Sequence, residues 1–122
     1  MKAVFFSLTG QTKRFANKLG ITSIDISSNP FLTIDEDFVL LAPTYDKSMT
    51  EVANQFLEHE HNLQFCRGII GIGNKNFADL FIYTAKDLAF DYDLELLYGL
   101  EFSGTSADVE AVLSILNQKE CG

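Results

Sequence analysis

Short apolar runs alternate along the chain with segments in which apolar residues recur at helical spacing. Uninterrupted apolar runs are typical of strands that are buried on both faces of a sheet. The alternation of Ile24 and Ile26 with polar residues predicts a weaker, edge-like strand. The predicted strands lie at 3–6, 22–27, 38–42, 68–72 and 94–102.

Amphipathic helices are predicted between most of these strands. The first covers 12–19 and ends at Gly20, a residue that readily adopts the left-handed conformation found after helices. The second is predicted to begin with Ser48 as N-cap and Glu51 as its partner in a capping box. The residues predicted to face inward are Phe15, Ala16, Leu19, Val52, Ala53, Phe56, Leu57, Phe77, Leu80, Phe81, Ala85, Leu88, Val109, Val112, Leu113 and Leu116.

This order of elements predicts one α/β domain over residues 1–122, with a doubly wound parallel sheet and helices on both faces. The second and third strands are separated by a segment without a clear helical pattern, so we expect a loop there. A doubly wound sheet has a switch point, where neighbouring strands send their connections to opposite faces. Ligands bind in the crevice outside the carboxyl ends of the strands at that point.

Composition and charge narrow the function. The 122 residues are 47% hydrophobic and carry a formal net charge of −8, which disfavours nucleic acid or an anionic membrane as a main partner. The apolar opening segment breaks at Ser7 and is too short for a signal peptide or a membrane span, so a cytoplasmic location is expected. Cys66 and Cys121 form no disulfide framework or zinc motif, and Cys66 is predicted to be a buried thiol.

Several classes of site are disfavoured by the motifs that the chain lacks. It contains neither GxxxxGK[ST] nor GxGxxG, which argues against nucleotide hydrolysis and NAD binding. His59 and His61 are two positions apart and would point away from each other on a helix, so no metal site is expected. No set of catalytic side chains, such as Ser-His-Asp, is readable.

The turn after the first strand is the most informative segment. It reads Ser7-Leu8-Thr9-Gly10-Gln11-Thr12 and leads into the first helix. Hydroxyl groups and backbone N–H groups at the start of a helix favour an anion, and Gly10 permits a close approach of the backbone. An ordinary N-cap turn is the alternative, but three hydroxyl residues exceed what one cap requires. The segment therefore favours a phosphate-binding loop.

Two further loops follow the third and fourth strands. The first reads Pro43-Thr44-Tyr45-Asp46, and the second reads Gly73-Asn74-Lys75-Asn76-Phe77. Tyr45 and Phe77 offer aromatic faces, and the two Asn side chains offer donors and acceptors for the edge of a heterocycle. The alternatives are a rim tyrosine that packs on a helix and Asn residues that cap the next helix. All three loops are expected to converge on one crevice.

Taken together, these segments resemble the NrdI family, the flavodoxin-like proteins that accompany class Ib ribonucleotide reductases. The hydroxyl-rich loop is shared by flavodoxins in general. The Gly-Asn-Lys-Asn-Phe stretch and the Glu-x-x-Gly-Thr ending are more particular to this family. The matching segments are 6–15, 42–45, 67–68, 73–77, 100–105 and 107–110.

The resemblance implies a flavodoxin-like, five-stranded parallel sheet in the order 2-1-3-4-5 and one non-covalently bound FMN. The phosphate would be held by Ser7, Leu8, Thr9, Gly10, Gln11 and Thr12. The flavin ring would be lined by Pro43, Thr44, Tyr45, Asp46, Gly73, Asn74, Asn76 and Phe77. A structural role is expected for the Gly104-Thr105 stretch, with Thr105 as the N-cap of the last helix and Asp108 at its third position.

The resemblance also implies a function. In the family, a reductant feeds the flavin, the reduced flavin converts O₂ to superoxide, and the oxidant reaches the radical-generating small subunit of the reductase. The chain departs from many members by having Asp46-Lys47-Ser48-Met49, without glycine, after Tyr45. A general flavodoxin-type electron carrier and a flavin-free interaction module on the same fold are the alternatives.

Overall fold

In the computed structural model, the described residues form five strands and five helices, which alternate except where β3 follows β2 and α3 follows α2. The structure describes residues 1–7, 10–44, 47–74 and 82–121, without the side chains of 47–49 and 121. The strands are β1 (Lys2–Phe5), β2 (Ser23–Asp25), β3 (Phe38–Pro43), β4 (Cys66–Gly73) and β5 (Leu96–Glu101). The helices are α1 (Gln11–Leu19), α2 (Lys47–Glu58), α3 (Asn62–Phe65), α4 (Tyr83–Asp91) and α5 (Ser106–Cys121).

All strand pairs are parallel, and the strand order is β2-β1-β3-β4-β5. Phe5 near the end of β1 lies beside both Asp25 and Leu41, and Pro43 at the end of β3 lies beside Ile72. The expected sheet and its order are therefore confirmed. The register also brings the carboxyl ends of β1, β2, β3 and β4 together in one row.

The side chains of the central strands divide between two hydrophobic clusters, one on each face of the sheet. Val4 and Phe6 enter one cluster, whereas Ala3 and Phe5 enter the other, because successive strand residues point to opposite faces. The first cluster is covered by α2, α4 and the β2–β3 connection, and the second by α1 and α5. Helices on both faces are thus confirmed, and Cys66 is buried as predicted.

The β2–β3 connection is irregular, as expected, and one buried side chain holds it in place. Asn62, which has no exposed surface, accepts a hydrogen bond from the N–H of Ile34 at 2.8 Å. Its amide group donates to the carbonyl oxygens of Leu32 at 2.8 Å and Phe56 at 2.9 Å. The short helix α3, which presents Asn62, was not predicted, because four residues are too few to show a helical repeat.

Two local predictions were wrong. Helix α2 begins at Lys47, so Ser48 is inside the helix and is not its N-cap. The preceding residue, Asp46, lies outside the described ranges. Leu113 is an exposed residue, because α5 packs on the sheet through Val112 and Leu116, which are four positions apart.

Gly71 in β4 allows α4 to approach the sheet closely. A Cβ atom there would lie 2.7 Å from the Cβ of Ile82 and 2.9 Å from that of Ala85. The start of α4 is therefore seated directly on the strand that carries the third candidate loop. Among the helices of the described ranges, none combines the length and the apolarity that crossing a membrane requires.

Candidate functional site

The switch point of the sheet lies between β1 and β3. These strands are neighbours, but α1 covers one face of the sheet and α2 covers the other. In doubly wound sheets, the loops that leave two such strands diverge, and ligands bind in the crevice between them at the carboxyl ends of the strands. Residues of the three candidate loops lie at this edge: Ser7, Gly10, Gln11, Thr12, Pro43, Thr44, Gly73 and Asn74.

Six of the predicted site residues belong to parts of the loops that the structure does not describe. Their assignment to the site stays a prediction from the sequence. They are Leu8, Thr9, Tyr45, Asp46, Asn76 and Phe77.

The turn after β1 is closed by a hydrogen bond of its own. Gly10 donates its N–H to Ser7 Oγ at 3.0 Å and adopts a left-handed conformation with φ of +86°. A Cβ atom at this position would meet nothing within 4 Å, so the backbone angle rather than the space favours glycine. The Gly10 N–H is therefore used inside the turn itself.

Thr12 differs from the other hydroxyl residues of the first loop. It lies in the first turn of α1, its side chain is 1% exposed, and Oγ1 has no hydrogen-bond partner among the described residues. A buried hydroxyl without a partner costs about 1–3 kcal/mol, so such groups in folded proteins call for an explanation. An acceptor atom on a bound ligand would supply such an explanation. The N-cap position of α1 falls on Gly10, which has no side chain with which to cap the helix.

The carboxyl end of β2 supports the first loop, a contribution that sequence reasoning missed. Ser7 donates its N–H to Ser27 Oγ at 2.9 Å, and the Ser27 hydroxyl lies 2.6 Å from Asp25 Oδ1. Asp25 also accepts the N–H of Ser27 at 2.9 Å. The only indication in the sequence is an Asp-x-Ser segment at the end of a weak strand. The contact of this segment with the first loop follows only from the pairing of β1 with β2.

Hydrogen bonds connect the second loop to the end of β4, and the end of β4 to the residue that follows β5. The N–H and the hydroxyl of Thr44 both donate to the carbonyl oxygen of Ile72, at 2.8 Å and 3.0 Å. The carbonyl oxygen of Gly73 accepts the N–H of Phe102 at 3.1 Å. Pro43 is the last residue of β3, as expected for a residue that cannot donate to the ladder beyond it.

The start of α5 carries the structural motif that was expected. Thr105 precedes the helix, its N–H donates to Asp108 Oδ2 at 2.9 Å, and the N–H of Asp108 donates to Thr105 Oγ1 at 3.2 Å. This is a reciprocal cap. Asp108 Oδ1 also accepts the hydroxyl of Tyr98 at 2.7 Å, and this hydrogen bond raises the pKa of Tyr98.

Near the first loop, Lys13 and Arg14 are exposed on α1, so the buried donor there is an uncharged hydroxyl. The helix macrodipole adds a positive potential at the same point. A doubly wound sheet with hydroxyl groups and a helix start at its switch point is the architecture of the flavodoxin class, which holds a phosphate-bearing cofactor there.

Comparisons with known proteins agree with a flavodoxin-like fold. A family described as "NrdI Flavodoxin like" matches residues 3–114. The Protein NrdI of Mycoplasma genitalium is 34% identical over 92% of this chain and 79% of its own length. The Protein NrdI of Mycobacterium avium is 36% identical over 88% of this chain and 79% of its own length. The chain belongs to the NrdI flavodoxin-like family.

A solved structure supports the fold alone. It is titled "Structure of a Short-Chain Flavodoxin Associated with a Non-Canonical PDU Bacterial Microcompartment", and it superposes with a TM-score of 0.57 at 16% identity. The match covers 95% of this chain and 93% of that one. Two chains with so few identical residues share the sheet and its helices.

Proposed function

We propose that this protein binds FMN at the carboxyl ends of β1, β3 and β4 and acts in the cytoplasm as a redox accessory protein of a class Ib ribonucleotide reductase. Its partners are a flavin reductant, O₂ and the radical-generating small subunit of the reductase. Membership of the NrdI flavodoxin-like family supports this proposal.

The observation that carries the proposal is the buried hydroxyl of Thr12, which has no acceptor among the described residues. A phosphate oxygen in the turn between β1 and α1 supplies that acceptor. The hydroxyl group and the start of α1 would then act on the same anion, because both lie at the beginning of the helix. The residues present therefore fit the phosphate of FMN.

The other site residues divide by chemistry. Ser7, Leu8, Thr9, Gly10, Gln11 and Thr12 form the phosphate loop. Pro43, Thr44, Tyr45, Asp46, Gly73, Asn74, Asn76 and Phe77 line the ring. Because the Thr44 hydroxyl is already bound to the Ile72 carbonyl oxygen, Thr44 contributes its position and its carbon atoms rather than a free donor.

When bound, FMN would supply the one-electron reduction of O₂ to superoxide, with electrons that come from an external reductant. The chain itself does no covalent chemistry. Its residues would hold the phosphate with uncharged donors, orient the ring and leave one edge open to O₂ and to a protein partner.

A titration of the purified protein with FMN tests the first half of this proposal. We expect saturable quenching of flavin fluorescence at one FMN per chain, and a visible spectrum that changes during stepwise reduction under nitrogen. A preparation that neither contains FMN nor takes it up would contradict the proposal and favour the flavin-free module.

Two glycines of α1 provide a matched pair of variants. Gly10 and Gly20 flank the helix, both have left-handed backbone angles, and a Cβ atom at either would meet nothing within 4 Å. Gly10→Val and Gly20→Val therefore introduce similar strain of about 1–2 kcal/mol. We expect both to lower the stability, but only Gly10→Val to weaken FMN binding strongly. Equal FMN affinity in the two variants would contradict the assignment of the phosphate loop.

The partner is tested separately. Immobilised protein loaded with FMN is expected to retain the radical-generating subunit of a class Ib reductase, and to support formation of its radical when reductant and O₂ are supplied. A loaded protein that reduces general electron acceptors but fails in both assays would instead be a flavodoxin-type electron carrier.

A further inference from the structure

We infer that Asp25 and Ser27, at the end of β2, are positioning residues for the phosphate loop; this inference rests on the proposed function. Neither residue belongs to the three candidate loops. They act on the first loop through a chain of hydrogen bonds whose direction is determined by the chemistry of its members.

The chain begins at a carboxylate, which accepts hydrogen bonds and cannot donate them. Asp25 Oδ1 lies 2.6 Å from Ser27 Oγ and 2.9 Å from the backbone N of Ser27. The Ser27 hydroxyl therefore donates its hydrogen to Asp25 at 2.6 Å rather than to the carbonyl oxygen of Ser7, which lies 3.4 Å away. Its lone pairs then face the N–H of Ser7, which lies 2.9 Å away. The carboxylate thus determines which way the Ser27 hydroxyl points.

The chain continues into the candidate loop. Ser7 Oγ accepts the N–H of Gly10 at 3.0 Å, so the hydroxyl hydrogen of Ser7 points away from Gly10. The two bonds hold Ser7 to the end of β2 on one side and to Gly10, directly before α1, on the other. The donors of the loop are thereby oriented before a ligand arrives, which lowers the entropy that binding must remove.

The anchoring point is rigid because β2 is paired with β1 up to this position. Phe5 lies beside Asp25, and Ile26 donates its N–H to the carbonyl oxygen of Phe5 at 2.9 Å. Ile26 itself is fully buried in the cluster under α2. A short edge strand of three residues is thus held by the core at its carboxyl end, directly beside the loop that it supports.

The experiment compares Ser27→Ala and Asp25→Ala with the wild-type protein by two measurements. The first is the exchange rate of the Ser7 and Gly10 amide hydrogens in the protein without FMN, followed by NMR. The second is the FMN dissociation constant, followed by fluorescence quenching. We expect faster exchange at both amides, and a dissociation constant raised about 5- to 10-fold for each variant, since one or two hydrogen bonds are lost.

Conservative variants separate positioning from a general loss of stability. Ser27→Thr keeps the hydroxyl and is expected to recover most of the affinity that Ser27→Ala loses. Asp25→Asn keeps an acceptor oxygen at the same place and is expected to recover most of the loss seen in Asp25→Ala. Ser28→Ala, at the exposed neighbouring position, is the matched control and should behave like the wild-type protein in both measurements.

The two measurements also separate this inference from the proposed function. If the wild-type protein does not bind FMN, the proposed function fails and the inference about a phosphate loop fails with it, whatever the exchange rates are. If the wild-type protein binds FMN and Ser27→Ala binds it equally well, the positioning role alone is overturned. The same conclusion follows if the amide exchange of Ser7 does not change in Ser27→Ala.

Discussion

The two ends of the sheet are held together by different chemistry. At the amino-terminal end, salt bridges connect the starts of strands to neighbouring elements. Their partners are the Met1 amino group with Glu120, Lys2 with Glu36, Arg67 with Asp37, and Lys119 with Glu95. All four salt bridges found within the described ranges lie at this end.

At the carboxyl-terminal end, the strand exits are tied by hydrogen bonds and not by salt bridges between described residues, and one of the donors is the Lys18 ammonium group, which binds the carbonyl oxygens of Ser103 and Gly104 after β5. The Thr44 side chain and backbone bind the Ile72 carbonyl oxygen, and Gly73 accepts a hydrogen bond from Phe102. The Asp25 carboxylate is bound by Ser27 rather than by a cation in the described residues. Thr12, also at this end, is buried without an acceptor among the described residues.

This difference shows at which end of the sheet the polar groups are paired with each other. Charges at the amino-terminal end neutralise each other, so nothing further is needed there. At the carboxyl-terminal end, by contrast, the buried Thr12 hydroxyl finds no acceptor among the described residues. Exposed ion pairs contribute little to stability. The stability of the amino-terminal end therefore depends more on the hydrogen bonds of the buried Asn62 than on these ion pairs.

The largest expected effect concerns this buried side chain. Asn62→Ala removes the partners of the Ile34 N–H and of two carbonyl oxygens, so we expect the free energy of unfolding to fall by about 3 kcal/mol. Urea unfolding measures it, with Gln64→Ala, exposed on the same short helix, as the control. Equal urea midpoints for Asn62→Ala and Gln64→Ala would show that Asn62 does not hold the β2–β3 connection in place.

A second variant tests the opposite end. Thr12→Val replaces a buried hydroxyl with a methyl group of similar size, so the stability without FMN should stay the same or rise. The FMN dissociation constant is expected to rise about tenfold, because one hydrogen bond to the phosphate is lost. Thr12→Ser keeps the hydroxyl and should bind nearly as the wild-type protein does. A destabilised Thr12→Val that binds FMN normally would assign the hydroxyl to the fold instead.

The third prediction concerns alkaline pH and the start of β4. Burial raises the pKa of the Cys66 thiol from its ordinary 9.0 to about 11. Above pH 9 the folded chain keeps a proton that the unfolded chain releases, so stability falls as the pH rises. Between pH 8 and about pH 10 this group should remove on the order of 1 kcal/mol.

The variant Cys66→Ala tests this contribution. The quantity to compare is the loss of stability between pH 8 and pH 10, because the cavity left by the substitution lowers the stability equally at both pH values. Tyr92 and Tyr98, whose pKa values are also raised, remain in both proteins. For Tyr92 the larger cause is burial, followed by its hydrogen bond to Glu58. An unchanged loss of stability between pH 8 and pH 10 in Cys66→Ala would rule out the thiol as a source.

The smallest effect is expected for an exposed ion pair at the amino-terminal end. Arg67 Nη2 lies 2.9 Å from Asp37 Oδ1, and this hydrogen bond lowers the pKa of Asp37. Arg67→Ala should cost less than about 1 kcal/mol at neutral pH. Because a lowered pKa gives stability that disappears as the pH falls through it, the two proteins should converge in acid. A larger loss that persists in acid and in high salt would mean that Arg67 acts through packing.

Local errors in the sequence analysis have a common origin. The spacing of Ser48 and Glu51 predicts a capping box with Ser48 as N-cap, yet the helix begins at Lys47. The helical repeat predicts that Leu113 faces inward, whereas α5 buries Val112 and Leu116. Both errors lie within one turn of a helix, where several residues satisfy the same pattern and packing on the sheet selects among them.

By itself, the sequence determined the order of the strands along the chain and the two-sided core, because each depends on the spacing of residues within a short segment. Only the tertiary structure decided which polar groups meet. Asp25 reaches Ser7 through Ser27, and Asn62 reaches Ile34, because parallel strands bring distant segments into register. Hydrogen bonds require atoms within about 3 Å of each other, and no local pattern encodes such a distance between segments far apart in the chain.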